Sequence, residues 1–221
     1  MNPVARWIIA AGAVVGLAAA WAVCAPEPKL VTTDWQLDGR FETPQRIQLA
    51  VDGAPTPRTF WYVLYTVTNK TGDDRTFVPC FTLYTDTGQV LSDSKGVPTA
   101  VFEAIQIRHN NPLLTGVADM TGLLLQGRDN AKDGVAIFGD IEPGARAFDL
   151  FDGGLSGEAA ELRLPVPVML KRTDSEGRVR KVRDDRIVLH KTLQMTYKLP
   201  GEPAARAAGR VIPDGRCWVM R

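Results

Sequence analysis

Between Thr59 and Asn69 the chain reads TFWYVLYTVTN. Trp61, Val63, Tyr65 and Val67 fall on one side of an extended backbone, and Phe60, Tyr62, Leu64 and Thr66 on the other. Both sides are apolar at the start, which predicts a central strand. KTGDD then turns the chain and RTFVPCFTLYTD returns it, with Phe77, Cys80 or Phe81, and Leu83 as core candidates. Pro79 cannot donate to a ladder, so an edge or bulge is expected there. DTG at residues 86–88 marks another tight turn. The period then changes. PTAVFEAIQIRHNN places Val101, Ile105 and Arg108 on successive turns with Ala104 alongside, predicting a short helix capped by Thr99 and ended before Pro112. Alternation resumes in GVAIF (134–138), ARAFDLFDGG (145–154), ELRLPVPVML (161–170) and DRIVLHKTLQMTYKL (185–199), separated by the turns EPGA, LSGEA and TDSEGR. TDWQLDGRF and QRIQLAV add edge strands. After Pro200, GEPAARAAGR predicts an exposed tail whose closing CWVMR packs Trp218 back onto the domain. This spacing predicts an all-β fold, an antiparallel β-sandwich.

WYVLYTVTNKTGDDRTF, an aromatic-rich strand ending in Asn and a Thr-Gly turn, resembles the strand, turn and strand unit of immunoglobulin-like modules of exported bacterial proteins, the telokin-like type. The matching residues are Tyr62, Tyr65, Val67, Asn69, Thr71, Gly72 and Phe77. The resemblance implies a compact immunoglobulin-like sandwich used for surface contacts rather than catalysis. The helix near residue 100 and the long middle segment depart from the minimal fold, so no binding residue is carried over. The expected organisation is an N-terminal hydrophobic helix in residues 1–25, a linker with edge strands over 26–57, the sandwich with its inserted helix over 58–200, and a tail over 201–221.

RWIIAAGAVVGLAAAWAVCAPEP differs from everything after it: Trp7 to Ala25 contains neither charge nor proline. A secretory apolar region runs about 7–15 residues and a membrane helix needs roughly 18 or more, so this run sits at the overlap. Arg6 on the short N-terminal side favours export of the remainder. Ala20-Trp21-Ala22 fits a signal-peptidase site that would leave a soluble chain starting at Val23. Cys24 as a lipidation site lacks the small residue expected before it, since Val23 and Trp21 stand there. The length of the run favours an uncleaved anchor. The chain is therefore expected outside the cytoplasmic membrane, anchored through residues 7–25 and facing out, or periplasmic or secreted if cut near Ala22. The run has no polar face for water to wet, which argues against a helix of a soluble core.

Composition adds limits. With 221 residues, 45% hydrophobic and 23% charged, the chain suits one domain with a sizeable core. A net charge of +1 lacks the basic surplus of a nucleic-acid binder. Cys24 lies in the export segment, leaving Cys80 and Cys217 either as a disulfide tying the tail to the body or as two separate small buried thiols. Neither has the CxxC spacing of a redox or zinc site.

GRDNAKDGVAIFGD carries the best metal candidate. Against the calcium-loop template, Asp129 takes the first place, Asp133 the fifth, Gly134 the sixth and Asp140 the twelfth. Ala131 fails the third, and a tight turn at Asp133-Gly134 is the preferred reading. GGLSGE lacks the final glycine of a nucleophile elbow around Ser156. His109 and His190 share no metal-ligand spacing with each other or with acids. KRTDSEGRVRKVRDDR (171–186) concentrates Arg178, Arg180, Lys181 and Arg183 in its second half, which suits either a solvated hairpin or contact with anionic headgroups. Trp35, Phe60, Trp61 and Tyr62 suit a core more than a sugar-stacking face. The expected function is a non-enzymatic binding or scaffolding module of the cell envelope, without a cofactor. It would contact an envelope or membrane protein through a sheet face or the loop from Gly96 to Met120. The alternatives are a hydrolase that brings Asp133, Asp140 and His109 or His190 together, and a calcium-stabilised module.

Overall fold

β3 (Arg58–Asn69) is buried on both faces over much of its length, and the architecture follows from that. The structure, a computed structural model, describes residues 26–29, 34–51, 55–173, 177–202, 206 and 210–221. β1 (Asp38–Phe41) and β2 (Gln45–Leu49) pair with one edge of β3, and β9 (Gly127–Phe138) with the other, all antiparallel. The short β7 (Thr115–Gly116) adds to β9 in parallel. A second sheet runs β13–β12–β10–β5–β6, formed by Ile212–Met220, Val179–Lys198, Ala147–Asp152, Phe81–Thr85 and Val90–Ser92. The chain is thus all-β with two helices among the described residues, α1 (Thr99–His109) and the single turn α2 (Val117–Met120).

The two faces of β3 serve two cores. Trp61, Val63, Tyr65 and Val67 join Phe81, Leu83, Phe148, Leu150, Leu193, Met195 and Tyr197 from the second sheet. Trp61 meets Phe148 edge-on at 5.7 Å between ring centres, and Tyr65 lies 4.8 Å from Phe81. On the other face, Phe60 and Tyr62 pack with Val135 and Ile137 beneath Val101 and Ile105 of α1. Burying each such side chain contributes about 1.5–3 kcal/mol, so the strand that supplies both cores anchors the fold. α1 matches the expected span, but Thr99 is its first helical residue. The cap position belongs to Pro98, which makes no side-chain capping bond. Asn110 ends the helix in the left-handed region at φ 46°, its N–H reaching the Gln106 and Ile107 carbonyls.

Three expectations are corrected. RTF does not return along β3: β4 (Arg75–Phe77) pairs with β8 (Gly122–Leu124), and the chain then crosses to the second sheet as β5. Gly154 packs against that crossing, where a Cβ would stand 2.3 Å from the Val78 carbonyl oxygen. Residues 212–220 of the expected tail form strand β13, exposed over its first six residues, with Trp218 packed against the main core as expected, while 203–205 and 207–209 lie outside the described residues. The Cys80–Cys217 bond is absent, and both thiols are free and exposed. Cys217 is level with Gln194, Phe151 and Thr82 across three strand pairings. Those pairings separate it from Thr82 by about 14 Å, and a disulfide needs Cα atoms within about 7 Å.

β12 changes character along its length. Its residues 193–198 sit between β13 and β10, Lys191 and Thr192 pair with β13 and His190 exchanges both backbone bonds with Arg221, whereas residues 179–189 pair only with β11 (Ala159–Thr173). That part is a two-stranded arm of roughly 40 Å at the usual rise per residue. The register jumps from Arg163↔Arg186 to Val168↔Asp184, so four residues of β11 face a single one of β12. Pro165 and Pro167 lie in that interruption, where lost N–H donors do least harm. They also blunt the outer edge against pairing with another chain.

Candidate interaction arm

LSGEA makes the root of the arm. Ser156 Oγ accepts the Glu158 N–H at 3.2 Å. Gly157 lets the chain pass the Trp35 indole, since a Cβ there would lie 2.4 Å from Nε1. Glu158 is buried and uses both carboxylate oxygens: Oε2 accepts from Lys191 Nζ at 3.0 Å, and Oε1 accepts the Lys29 N–H at 3.0 Å. The Lys29 amide, then the Lys191 ammonium, hold the carboxyl below its ordinary pKa. Lys191 also lies over the Trp218 ring at 5.3 Å. One carboxylate therefore joins the N-terminal segment, the start of β11 and the place where β12 leaves the core.

Beyond this root the strands are exposed. Pairs directly opposite share a face of the ribbon. One face carries Met169 opposite Arg183, Lys171 opposite Lys181, and Val179 at the distal end. The other carries Leu170 opposite Val182, Val168 opposite Asp184, and Arg180 at the register position of Arg172. Met169 and Val179 are 62% and 65% exposed, unusual for apolar side chains with nothing packed over them. Lys171 and Lys181 stand about 5 Å apart at Cβ, with Arg183 about 7 Å along the strand, the spacing at which like charges destabilise a ladder. Among the described residues none of these three cations has an anionic partner. In sequence, residues 159–190 hold eight Lys or Arg and five Asp or Glu, a local +3 in a chain of net +1.

The other candidate residues are dispersed. Asp129 and Asp133 both lie within β9, Asp129 where the ladder to β3 is interrupted between Gly127 and Lys132 and Asp133 opposite Thr66, a strand rather than the loop a calcium site needs. Asp133 accepts from Thr66 Oγ1 at 2.7 Å and Asn111 Nδ2 at 3.3 Å. Asp140 lies past the far end of β9, accepting from Trp61 Nε1 at 3.3 Å, with burial raising its pKa. The Asp133-Gly134 turn is likewise corrected: Gly134 is mid-strand opposite Tyr65, where a Cβ would meet the Tyr65 ring at 2.5 Å. Among the described residues no three His, Cys, Asp or Glu group to hold a metal. His109 Nε2 lies 2.9 Å from the Tyr62 hydroxyl, which donates to Gln45 Oε1. Since that hydroxyl has one proton, it accepts from His109. His190 sits on β12 at the arm's base opposite Ala159. These acids and histidines do not converge as a hydrolytic site would require. Phe60, Trp61 and Tyr62 are core residues rather than a stacking face. A cleft at the end of the sheets, bounded by Arg46, Trp61, Asp140 and Arg206, encloses about 90 Å³. That is below the roughly 300 Å³ at which ligand sites usually start, whereas an open groove bounded by Glu42, Gln45, Arg46 and Pro213 encloses about 520 Å³. The expected anchor at residues 7–25 lies outside the described residues, among which no helix is long and apolar enough to cross a membrane.

Comparison with family models, with curated proteins and with solved structures gave no match to this chain.

Two carboxylates give the body opposite pH responses. Asp152 points into the core at the end of β10, with Oδ1 accepting the Gly154 N–H at 3.0 Å and Oδ2 without a partner. Burial pushes its pKa from 3.8 up to about 7. Its folded form holds the proton more tightly than the unfolded chain, so its contribution to stability falls as pH rises across that interval. Asp152→Asn, which keeps the Oδ1 acceptor, should match the parent near the bottom of the interval. At pH above it the variant should be more stable by on the order of 2 kcal/mol, read by urea unfolding. Glu158 has the reverse sign: its lowered pKa stabilises above the ordinary carboxylate range, and that stabilisation is lost as pH falls through the folded value. Glu158→Gln should speed proteolytic cleavage at the arm's root at neutral pH, with the difference from the parent vanishing in acid.

Proposed function

We propose that this chain is a non-enzymatic binding module of the cell envelope, an immunoglobulin-like sandwich tethered through residues 7–25 that engages its partner with the β11–β12 arm. The observation that carries this reading is the arm itself. Eleven residues of β12, 179–189, leave the core with β11 as their sole strand neighbour among the described residues and hold Val179, Val182 and Val188 exposed. An isolated two-stranded ribbon is marginal in water, and exposed apolar side chains lower its solubility, so an arm of this kind is best accounted for by contact with something else. The burial pattern supports the division of labour: buried positions of β12 start at Lys191, and no arm residue beyond it belongs to either core.

A second surface carries exposed apolar residues. Ile107 and Leu113, in the expected loop from Gly96 to Met120, are 80% and 79% exposed. A photo-crosslinking residue placed in the full chain at Met169, or separately at Ile107, tests the choice in intact cells. The expected result is an adduct at Met169 with an envelope component and none at Ile107. Adducts at Ile107 alone would move the interaction to the helix-bearing loop, and equal labelling at both would remove the arm's special role.

A further inference from the structure

The cationic face of the arm identifies the chemistry of its partner, and we infer that this face, made by Met169, Lys171, Val179, Lys181 and Arg183, docks on the surface of an anionic lipid bilayer. The inference rests on the arm being the binding element and names what it binds.

Three observations carry it. The first is charge. Lys171 and Lys181 are placed opposite each other and beside Arg183, all exposed and without an anionic partner among the described residues. Like charges at this spacing repel, and an external layer of anions relieves that repulsion. The second is composition. The same face exposes Met169 and Val179, and aliphatic side chains beside Lys and Arg suit the headgroup boundary, where the chains enter and the cations meet phosphate. The arm bears no aromatic ring between Ala159 and His190 on which a nucleic-acid base could stack. A second copy of the chain would bring like charges together.

The third is position. Lys29, whose N–H is held by Glu158 at the arm's root, follows Ala25 by four residues. Four residues span at most about 14 Å. With residues 7–25 in a bilayer, the root of the arm lies within that distance of the end of the membrane segment, and the ribbon is long enough to lie across the surface.

The test uses the full chain with a photo-crosslinking residue at Val179, reconstituted in vesicles of phosphatidylcholine alone or mixed with phosphatidylglycerol. Lipid adducts should form several-fold more in the anionic vesicles and fall as salt is raised. Converting Lys171, Lys181 and Arg183 to Glu should lower the anionic adduct by roughly fivefold per cation. The single change Lys181→Glu replaces a repulsive pair with an attractive one, so it should leave the melting temperature equal or higher while still lowering the adduct. Equal adducts in the two vesicle types, or adducts unchanged by the charge reversals, would overturn the inference. So would duplex DNA displacing the face from anionic vesicles, which would assign the cations to nucleic acid. If vesicles give no adduct while Met169 still crosslinks a protein in cells, the lipid assignment fails and the binding role of the arm stands. If neither does, both fail.

Discussion

The Glu158 carboxylate is the constraint on which the arrangement of this molecule turns. Buried, and accepting from Lys191 Nζ and the Lys29 amide, it sits where three parts of the chain meet. A buried charge whose partner is removed is costly, so the three parts hold one another in place. Upstream of Lys29 is the apolar N-terminal run; downstream of Glu158 is β11; Lys191 marks the last core residue of β12 before it becomes the arm. The ion pair thereby sits where one continuous strand changes from a core element to a projecting one, and fixes the arm's base beside Lys29.

The body is built for rigidity behind that junction. β3 supplies the inter-sheet core with one face and the helix-covered core with the other, so the first sheet is packed on both sides. Gly134 admits the Tyr65 ring, and Gly154 admits the crossing strand at Val78. These close approaches tie the sheets together near Asp152, whose unpartnered Oδ2 is a cost the core carries at neutral pH. The arm has no comparable packing. Its stability comes from ladder bonds weakened by the Lys171–Lys181 opposition and by the prolines at its register jump.

Much of the body is legible in the sequence because its strands alternate cleanly. Two apolar faces marked β3 as central, and helical spacing marked α1 with its buried Val101 and Ile105. Partner choice was not legible. RTF could return along β3 by local pattern, and its pairing with β8 depends on packing distant in sequence. The Asp129–Asp140 template matched a spacing, and GVAIF reads as a strand, but the strand begins earlier, at Gly127, so that it takes in Asp129 and Asp133 as well. The Cys80–Cys217 pairing was arithmetic on thiols without strand order. The hairpin at 171–186 was legible, but its projection from the core was not, because ELRLPVPVML and DRIVLHKTLQMTYKL each read as ordinary strands. The available signal was the loss of alternation at residues 178–183, where charges occupy both faces, together with two prolines in the partner strand.

The most direct measurement of the central claim is hydrogen exchange of the full chain in neutral detergent micelles and in phosphatidylglycerol-containing vesicles. The account expects backbone amides at 168–171 and 179–184 to exchange quickly in micelles and to become protected in vesicles, while amides of β3 and β10 stay protected in both. Arm amides that exchange equally fast in both environments would contradict it.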